Sequence, residues 1–211
     1  MAQTSQRTAR WQRYWDRKSR SYDKEMRFWD RRLFGDARPW ACGQAAGEVL
    51  EVAVGTGLNL PFYPDDVTLT GVDLSDRMLD LARARAADLG REVSLQHGDA
   101  HALVFADACF DTVVCTFGLC AIPDIDAAID EMVRVLRPGG RLILVDHIAS
   151  SSRAIRGVQR LLELVTAPLA GEHFLRRPLH HIHTRGLEIE QRQRFKLGLV
   201  ERLVARKPRT T

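Results

Sequence analysis

One stretch limits the possible folds of this chain more than any other. Val49-Leu50-Glu51-Val52-Ala53-Val54 is a short run rich in Val and Leu, the pattern of a strand buried on both faces. It stops at Gly55-Thr56-Gly57, where two glycines let the backbone turn sharply and let a ligand approach it closely. A second buried run, Val67 to Val72, ends on Asp73. A carboxylate at such a strand tip can accept both hydroxyls of a ribose. A dinucleotide loop would place a third small residue three positions after Gly57. Leu60 stands there, followed by Pro61, which suits a nucleoside without a pyrophosphate better.

A chain of 211 residues suits one domain with a full core, and 45% apolar with 27% charged residues are globular values. No apolar run approaches the ~18 residues of a membrane span. The polar, arginine-rich N-terminus lacks the apolar core of a signal peptide. Cys42, Cys109, Cys115 and Cys120 form no Cys-x-x-Cys pair and no metal spacing, so free thiols in a reducing cytoplasm are expected. The net charge of +4 is uneven. Residues 1–40 hold 11 Lys and Arg against 5 Asp and Glu, and residues 185–211 hold 8 against 3, while the middle is acidic. Basic ends read either as a solvated face or as attraction to an anionic surface, lipid or nucleic acid.

Taken in order, residues 1–10 are expected to be disordered. Trp11, Trp15, Tyr22, Met26, Trp29 and Leu33 then form a helical stripe, with Ser19 or Ser21 as a point where a second helix could be capped. The stripe suits a lid over a cofactor, a wall of an acceptor pocket, an interfacial membrane helix or plain packing. After Gly57, two prolines leave room for one or two helical turns. Ser75 caps a helix to about Leu89, stopped by Gly90. Glu92–Gln96 is a third strand leading to His97-Gly98-Asp99-Ala100, and Phe110–Cys115 a fourth leading to Thr116-Phe117-Gly118-Leu119-Cys120. A helix from Asp124 to Leu136 stops at Arg137-Pro138-Gly139-Gly140, and Arg141–Val145 is a fifth strand delivering Asp146-His147. Residues 153–166 read as an amphipathic helix and Ala167–Pro178 as a loop holding Gly171-Glu172-His173-Phe174. Leu179–Arg185 reads as a short helix, and Leu187–Phe195 and Leu199–Lys207 as a terminal β-pair turning at Gly198.

These residues resemble the class I S-adenosylmethionine (SAM) methyltransferases over roughly residues 20–207. The family usually shows acid-x-Gly-x-Gly-x-Gly at its first strand; here Glu51, Gly55 and Gly57 match, and Ala53 stands where the first Gly is usual. The Arg137-Pro138-Gly139-Gly140 stop and the acid Asp111 opening strand four also match. The resemblance implies a Rossmann-like seven-stranded sheet, parallel except for the last strand, with helices on both faces and an N-terminal helical lid. It divides the chain into an arm, 1–40, and a SAM-binding domain, 41–211. It implies SAM as cofactor, held by Tyr22, Glu51, Ala53, Gly55, Thr56, Gly57, Asn59, Asp73, Leu74, Met78, Gly98, Asp99, Ala100, Cys115, Thr116, Phe117 and Cys120. Tyr22-Asp23 is similar to a pair that closes over SAM in relatives, and Asp99 with the Ala100 amide corresponds to the adenine site. The chain is most similar to the ubiquinone/menaquinone C-methyltransferase group. Val113–Cys120 with Asp146-His147 also resembles small thiol methyltransferases, and Val54–Pro61 resembles bacterial phospholipid N-methyltransferases.

Methyl transfer from a sulfonium requires alignment and no metal. His180, His181 and His183 are dense, but residues two apart on a helix point to different faces, so no metal site is expected. An oxygen or carbon acceptor needs a general base, for which His147 is the first candidate and His173 the second. The expected partner is a small, largely apolar acceptor: thiol, phenol or quinol, amine or activated carbon. A phospholipid headgroup at the membrane surface is the alternative, with the basic N-terminal arm as a possible contact to anionic lipid. A nucleic-acid methyltransferase, suggested by the basic ends, is the second alternative; nucleic acid is nevertheless not the expected partner, because Cys115-Thr116-Phe117-Gly118 replaces the Asn/Asp-Pro-Pro-aromatic tetrad of amino-methylating enzymes. A nicotinamide oxidoreductase is disfavoured by Leu60 and Pro61.

Overall fold

A computed structural model describes residues 2–170 and 173–209 of the chain, with side chains for 8–167 and 173–209. The frame is a sheet of seven strands among the described residues: β1 (Glu48–Val52), β2 (Thr68–Asp73), β3 (Ser94–His97), β4 (Phe110–Thr116), β5 (Leu136–His147), β6 (Glu188–Phe195) and β7 (Val200–Arg206). Their spatial order is β3-β2-β1-β4-β5-β7-β6. β7 runs antiparallel to both β5 and β6, and the other pairings are parallel. This is the sheet that the resemblance implies.

The period of two along the strands fills both faces. Leu50, Val52, Val113, Cys115, Leu142 and Leu144 join one core cluster, while Val49, Val114, Ile143 and Val145 join the other. Both faces are apolar because helices cover both. α3 (Asp76–Asp88) begins where the Ser75 hydroxyl accepts the Met78 N–H. α4 (Ile125–Val135) begins where Asp124 accepts the Ala127 N–H. Ile125, Ala128, Ile129, Met132 and Val135 give α4 one buried stripe. Each large member contributes about 1.5–3 kcal/mol by leaving water.

Four expectations change. Helix α1 (Ala2–Trp29) includes residues expected to be disordered; Met1 lies outside the described residues. α1 does not break at its serines. The Ser19 hydroxyl donates to the Asp16 carbonyl at 2.8 Å and the Ser21 hydroxyl to Glu25 at 2.7 Å, so neither is left to cap a new helix. A π-helical turn (Asp30–Phe34), Gly35 and α2 (Ala37–Cys42) follow. Next, Arg137-Pro138-Gly139-Gly140 ends α4 but is not a loop: β5 starts at once at Leu136. Gly139 N–H donates to Lys207 O and Lys207 N–H to Gly140 O, so Lys207, the residue after β7, extends the pairing onto the glycines. Finally, α5 (Arg153–Ala170) runs four residues beyond its expected end. Gly171-Glu172 of the expected loop lies outside the described residues. The short helix expected at Leu179–Arg185 is α6 (Pro178–His183). Among the described residues no helix is long and apolar enough to cross a membrane.

Candidate active site

The strand order reverses between β1 and β4, which opens a crevice at their C-terminal ends. A cavity of about 720 Å³, its open mouth included, lies there. β1 stops because Ala53 turns left-handed at φ 59°, the conformation that explains why glycine is usual at this position. Gly55 follows at φ 56°, and its N–H donates to Asp73 Oδ2 at 2.8 Å. Ser75 N–H donates to Asp73 Oδ1 at 2.9 Å. Two backbone donors thus aim the carboxylate at the strand tip. Burial pushes the Asp73 pKa up, against the pull of those N–H groups.

Asp99 lines the cavity just past the neighbouring strand β3. Its Oδ1 meets His101 Nδ1 at 2.5 Å and accepts the His101 N–H at 3.0 Å. His101 Nε2 accepts the Asp124 N–H at 3.2 Å, so the ring proton sits on Nδ1 and is donated to Asp99. That donation holds Asp99 below the usual carboxylate range.

α1 closes over the cavity. Trp11, Trp15 and Tyr22 line it. Asp23 accepts hydrogen bonds from Thr56 Oγ1 and Arg85 Nη2, each at 2.5 Å, and Asp16 accepts from Ser75 Oγ at 2.6 Å. The helix is therefore tied to the glycine loop at one point and to the start of α3 at another. Burial lifts the Tyr22 phenol to about 12, with Arg38 opposing, so the hydroxyl stays protonated.

Behind the glycine loop lies a buried polar network. Glu51, 1% exposed, accepts from Asn59 Nδ2 at 2.6 Å and from the Tyr63 hydroxyl at 2.9 Å. Asn59 Nδ2 also donates to Thr116 Oγ1 at 2.8 Å, and Arg38 Nη1 donates to Asn59 Oδ1 at 3.0 Å. Burial raises Glu51 to about 7 despite both donors. Arg38 packs its guanidinium over Phe117, and its Nη2 is buried without a hydrogen-bond partner.

Of the residues that the sequence singles out, Tyr22, Ala53, Gly55, Asp73, Leu74, Met78, Gly98, Asp99, Ala100 and Phe117 line the cavity. Glu51, Asn59 and Thr116 sit in the polar network one layer behind, and Thr56 holds α1. Gly57, at φ 75°, packs against Leu60, which leaves no room for a side chain. Cys115 is buried in the sheet core.

His147, His173 and Cys120 also stand outside the cavity lining. His147 tilts against Phe174 with centroids 5.0 Å apart, its Nε2 lies 3.9 Å from Asp146 Oδ1, and its buried Nδ1 has no partner. His173 Nδ1 lies 3.0 Å from Glu163 Oε1. One ligand atom from each of Cys120, Asp146 and His147 falls within 4.8 Å of the others. Asp146 is already held by the N–H groups of Cys120 and His147, at 2.9 and 2.8 Å. His181 pairs with Asp126 at 2.7 Å.

The cavity residues outside the site read from the sequence are Val52 and Val72 of the strands, Trp11 and Trp15, which read as a stripe suited to a lid or a pocket wall, and His101, Gly118, Ala121, Ile122 and Pro123. A histidine two residues after a turn aspartate was a signal for His101. The Ala121–Pro123 wall carried none.

The donor implied by the resemblance fits these residues. Asp73 and Asp99, at the tips of the neighbouring strands β2 and β3, offer carboxylate acceptors for a ribose and an exocyclic amine. Trp11 Nε1, buried in the wall without an acceptor, offers a donor.

Residues 50–144 match the family model described as "Methyltransferase domain". The chain is 36% identical over 154 residues to a demethylmenaquinone methyltransferase of Thermus thermophilus, covering 72% of this chain and 68% of that protein. It is 42% identical over 118 residues to a phosphatidylethanolamine N-methyltransferase of Cereibacter sphaeroides, covering 55% of this chain and 58% of that one. The chain thus spans little more than half the length of this second relative. A solved structure of a SAM-dependent methyltransferase from Methanosarcina mazei shares the fold, with TM-score 0.63 and 21% identity over 77% of this chain and 93% of that one.

Proposed function

Since this chain belongs to the class I SAM-dependent methyltransferases, we propose that it methylates a small, largely apolar acceptor that attacks with its own lone pair. A thiol or an amine comes ahead of a phenol, a quinol or an activated carbon. The observation that carries this reading is the cavity wall. Phe117, Ala121, Ile122 and Pro123 make it apolar, and its histidine, His101, has both ring nitrogens engaged. Among the described lining residues no imidazole is left to take a proton.

SAM, when bound, supplies a methyl group already activated on a sulfonium, and the protein's work is alignment. Asp73 would hold the ribose and Asp99, oriented by His101, the adenine amine. The protonated Tyr22 and the Trp11 and Trp15 rings would cover the site and keep water out. His147 and His173 are the bases in reserve: either reaches an acceptor only if that acceptor extends past Cys120 toward Phe174.

A screen of thiols, amines, phenols and quinols with labelled SAM, read by mass spectrometry, tests the reading. Thiol or amine products are expected, with His147→Ala within about threefold of the parent at a pH where free thiolate accumulates. Products from phenols or quinols alone, with His147→Ala lowering kcat roughly 10²–10⁴-fold, would replace it by base catalysis. A phospholipid amine is the second reading, favoured by the 42% identity to the enzyme named for phosphatidylethanolamine.

A further inference from the structure

Helix α5 turns the wrong face outward for a soluble surface. Its inward face is polar. Gln159, 6% exposed, donates to the carbonyls of Ile148 and Phe174 and accepts the Ser150 N–H. One turn on, Glu163 takes His173 Nδ1 and the Leu175 N–H. Its outward face is apolar. Val158, Leu161 and Val165 follow the spacing of one stripe, with Leu162 and Leu164 on either side, and all five are more than half exposed. Arg153, Arg156 and Arg160 run at the same spacing along one flank and line a shallow hollow with Gly157. The exposed side of α5 carries no carboxylate; its acid, Glu163, is spent on the inward contacts.

We propose that α5 docks the protein on an anionic lipid surface, with the leucine and valine face at the headgroup–acyl boundary and Arg153 and Arg160 on lipid phosphates, while Arg156 between them holds the Ser150 and Ser151 carbonyls. A contiguous apolar patch rimmed by one sign of charge is the mark of an interfacial helix, and lipid phosphates complement that charge. A second copy of the chain does not: the face offers its arginines no acid to pair with. α5 follows β5 after a short loop and is pinned by Gln159 to Ile148 and Ser150, just past the Asp146-His147 strand tip. The docking claim stands apart from the identity of the acceptor, so its test measures binding and not turnover.

Full-length protein is sedimented with vesicles of phosphatidylcholine alone and of phosphatidylcholine mixed with phosphatidylglycerol, at low and high salt. Binding to the mixed vesicles is expected, weakened by salt. The triple change Leu161→Ser, Leu164→Ser, Val165→Ser, whose side chains face away from the fold, should cut partitioning by at least about tenfold. The double change Arg153→Gln, Arg160→Gln should cut it by roughly fivefold per arginine and flatten the salt dependence. Phe28→Ser with Trp29→Ser, exposed aromatics of α1, should leave it unchanged. Absence of binding to the mixed vesicles, or parent-level binding by the triple variant, overturns the proposal. So does loss of binding in the α1 variant alone, which would move the contact to the arm. A concentration-dependent dimer in light scattering that the triple variant abolishes overturns it in favour of a second copy. Calorimetric SAM binding, unchanged in every variant, reports that each is folded.

Discussion

Asp23 is expected to set how long α1 stays shut. Its two carboxylate oxygens each accept one bond at 2.5 Å, from Thr56 on the glycine loop and from Arg85 on α3. Side-chain exposures of 30% for Asp23 and 24% for Arg85 put the ion pair in partly screened surroundings, so it is worth about 1 kcal/mol. The Thr56 bond, to a carboxylate that water still reaches, adds about 1 kcal/mol, as a typical hydrogen bond does. Asp23→Ala therefore removes roughly 2 kcal/mol from the closed state, a factor of about 30 in the closed-to-open ratio. Asp16–Ser75 and the Trp11 and Trp15 contacts remain, so the helix still docks. Because Trp11 and Trp15 line the cavity, their fluorescence reports ligand release directly. In stopped-flow displacement of S-adenosylhomocysteine, the off-rate should rise about 10–30-fold while thermal unfolding of the sheet core changes little. An off-rate within twofold of the parent would refute the latch, and with it the idea that α1 gates the donor.

Asp73→Ala should weaken SAM binding by about 1–3 kcal/mol in calorimetry, since it removes an acceptor and also releases the Gly55 and Ser75 N–H groups that it holds. Glu51→Gln should change how stability depends on pH. With its folded pKa raised from 4.5 to about 7, Glu51 keeps its proton in the folded state after the unfolded chain has lost it, so its contribution falls as pH climbs through that window. Denaturant melts at pH 5 and pH 8 should show the variant losing about 2–3 kcal/mol less than the parent across the interval, and equal losses would contradict the raised pKa. Ala53→Gly relieves a left-handed alanine at φ 59°. Gains of about 1–2 kcal/mol in strain against about 0.4–1 kcal/mol of extra chain entropy predict a small rise in Tm; a clear fall would mean that the Ala53 methyl packs favourably.

What the sequence determined was local. The buried runs of β1, β2, β4 and β5, the caps at Ser75 and Asp124, the glycine loop and the carboxylate at the tip of β2 were legible because each depends on neighbours within a few residues. The dihedral at Ala53 follows from the same short-range geometry. Tertiary structure decided the rest. Glu51 and Asn59, matched by motif, belong to a network that forms only when Tyr63 and Thr116 arrive from other elements. The sequence places His147 two residues past the end of its strand; β5 instead runs on to include it, and its ring turns to Phe174, which no local pattern reveals. The periodicity of residues 153–166 gave an amphipathic helix but not which side faces the protein. That was settled by loop donors and acceptors at Ile148, Ser150, His173 and Leu175, whose bonds to Gln159 and Glu163 draw the polar side in and leave the leucines facing water. Helical period encodes two faces; only the partners that the fold supplies determine which of them is buried.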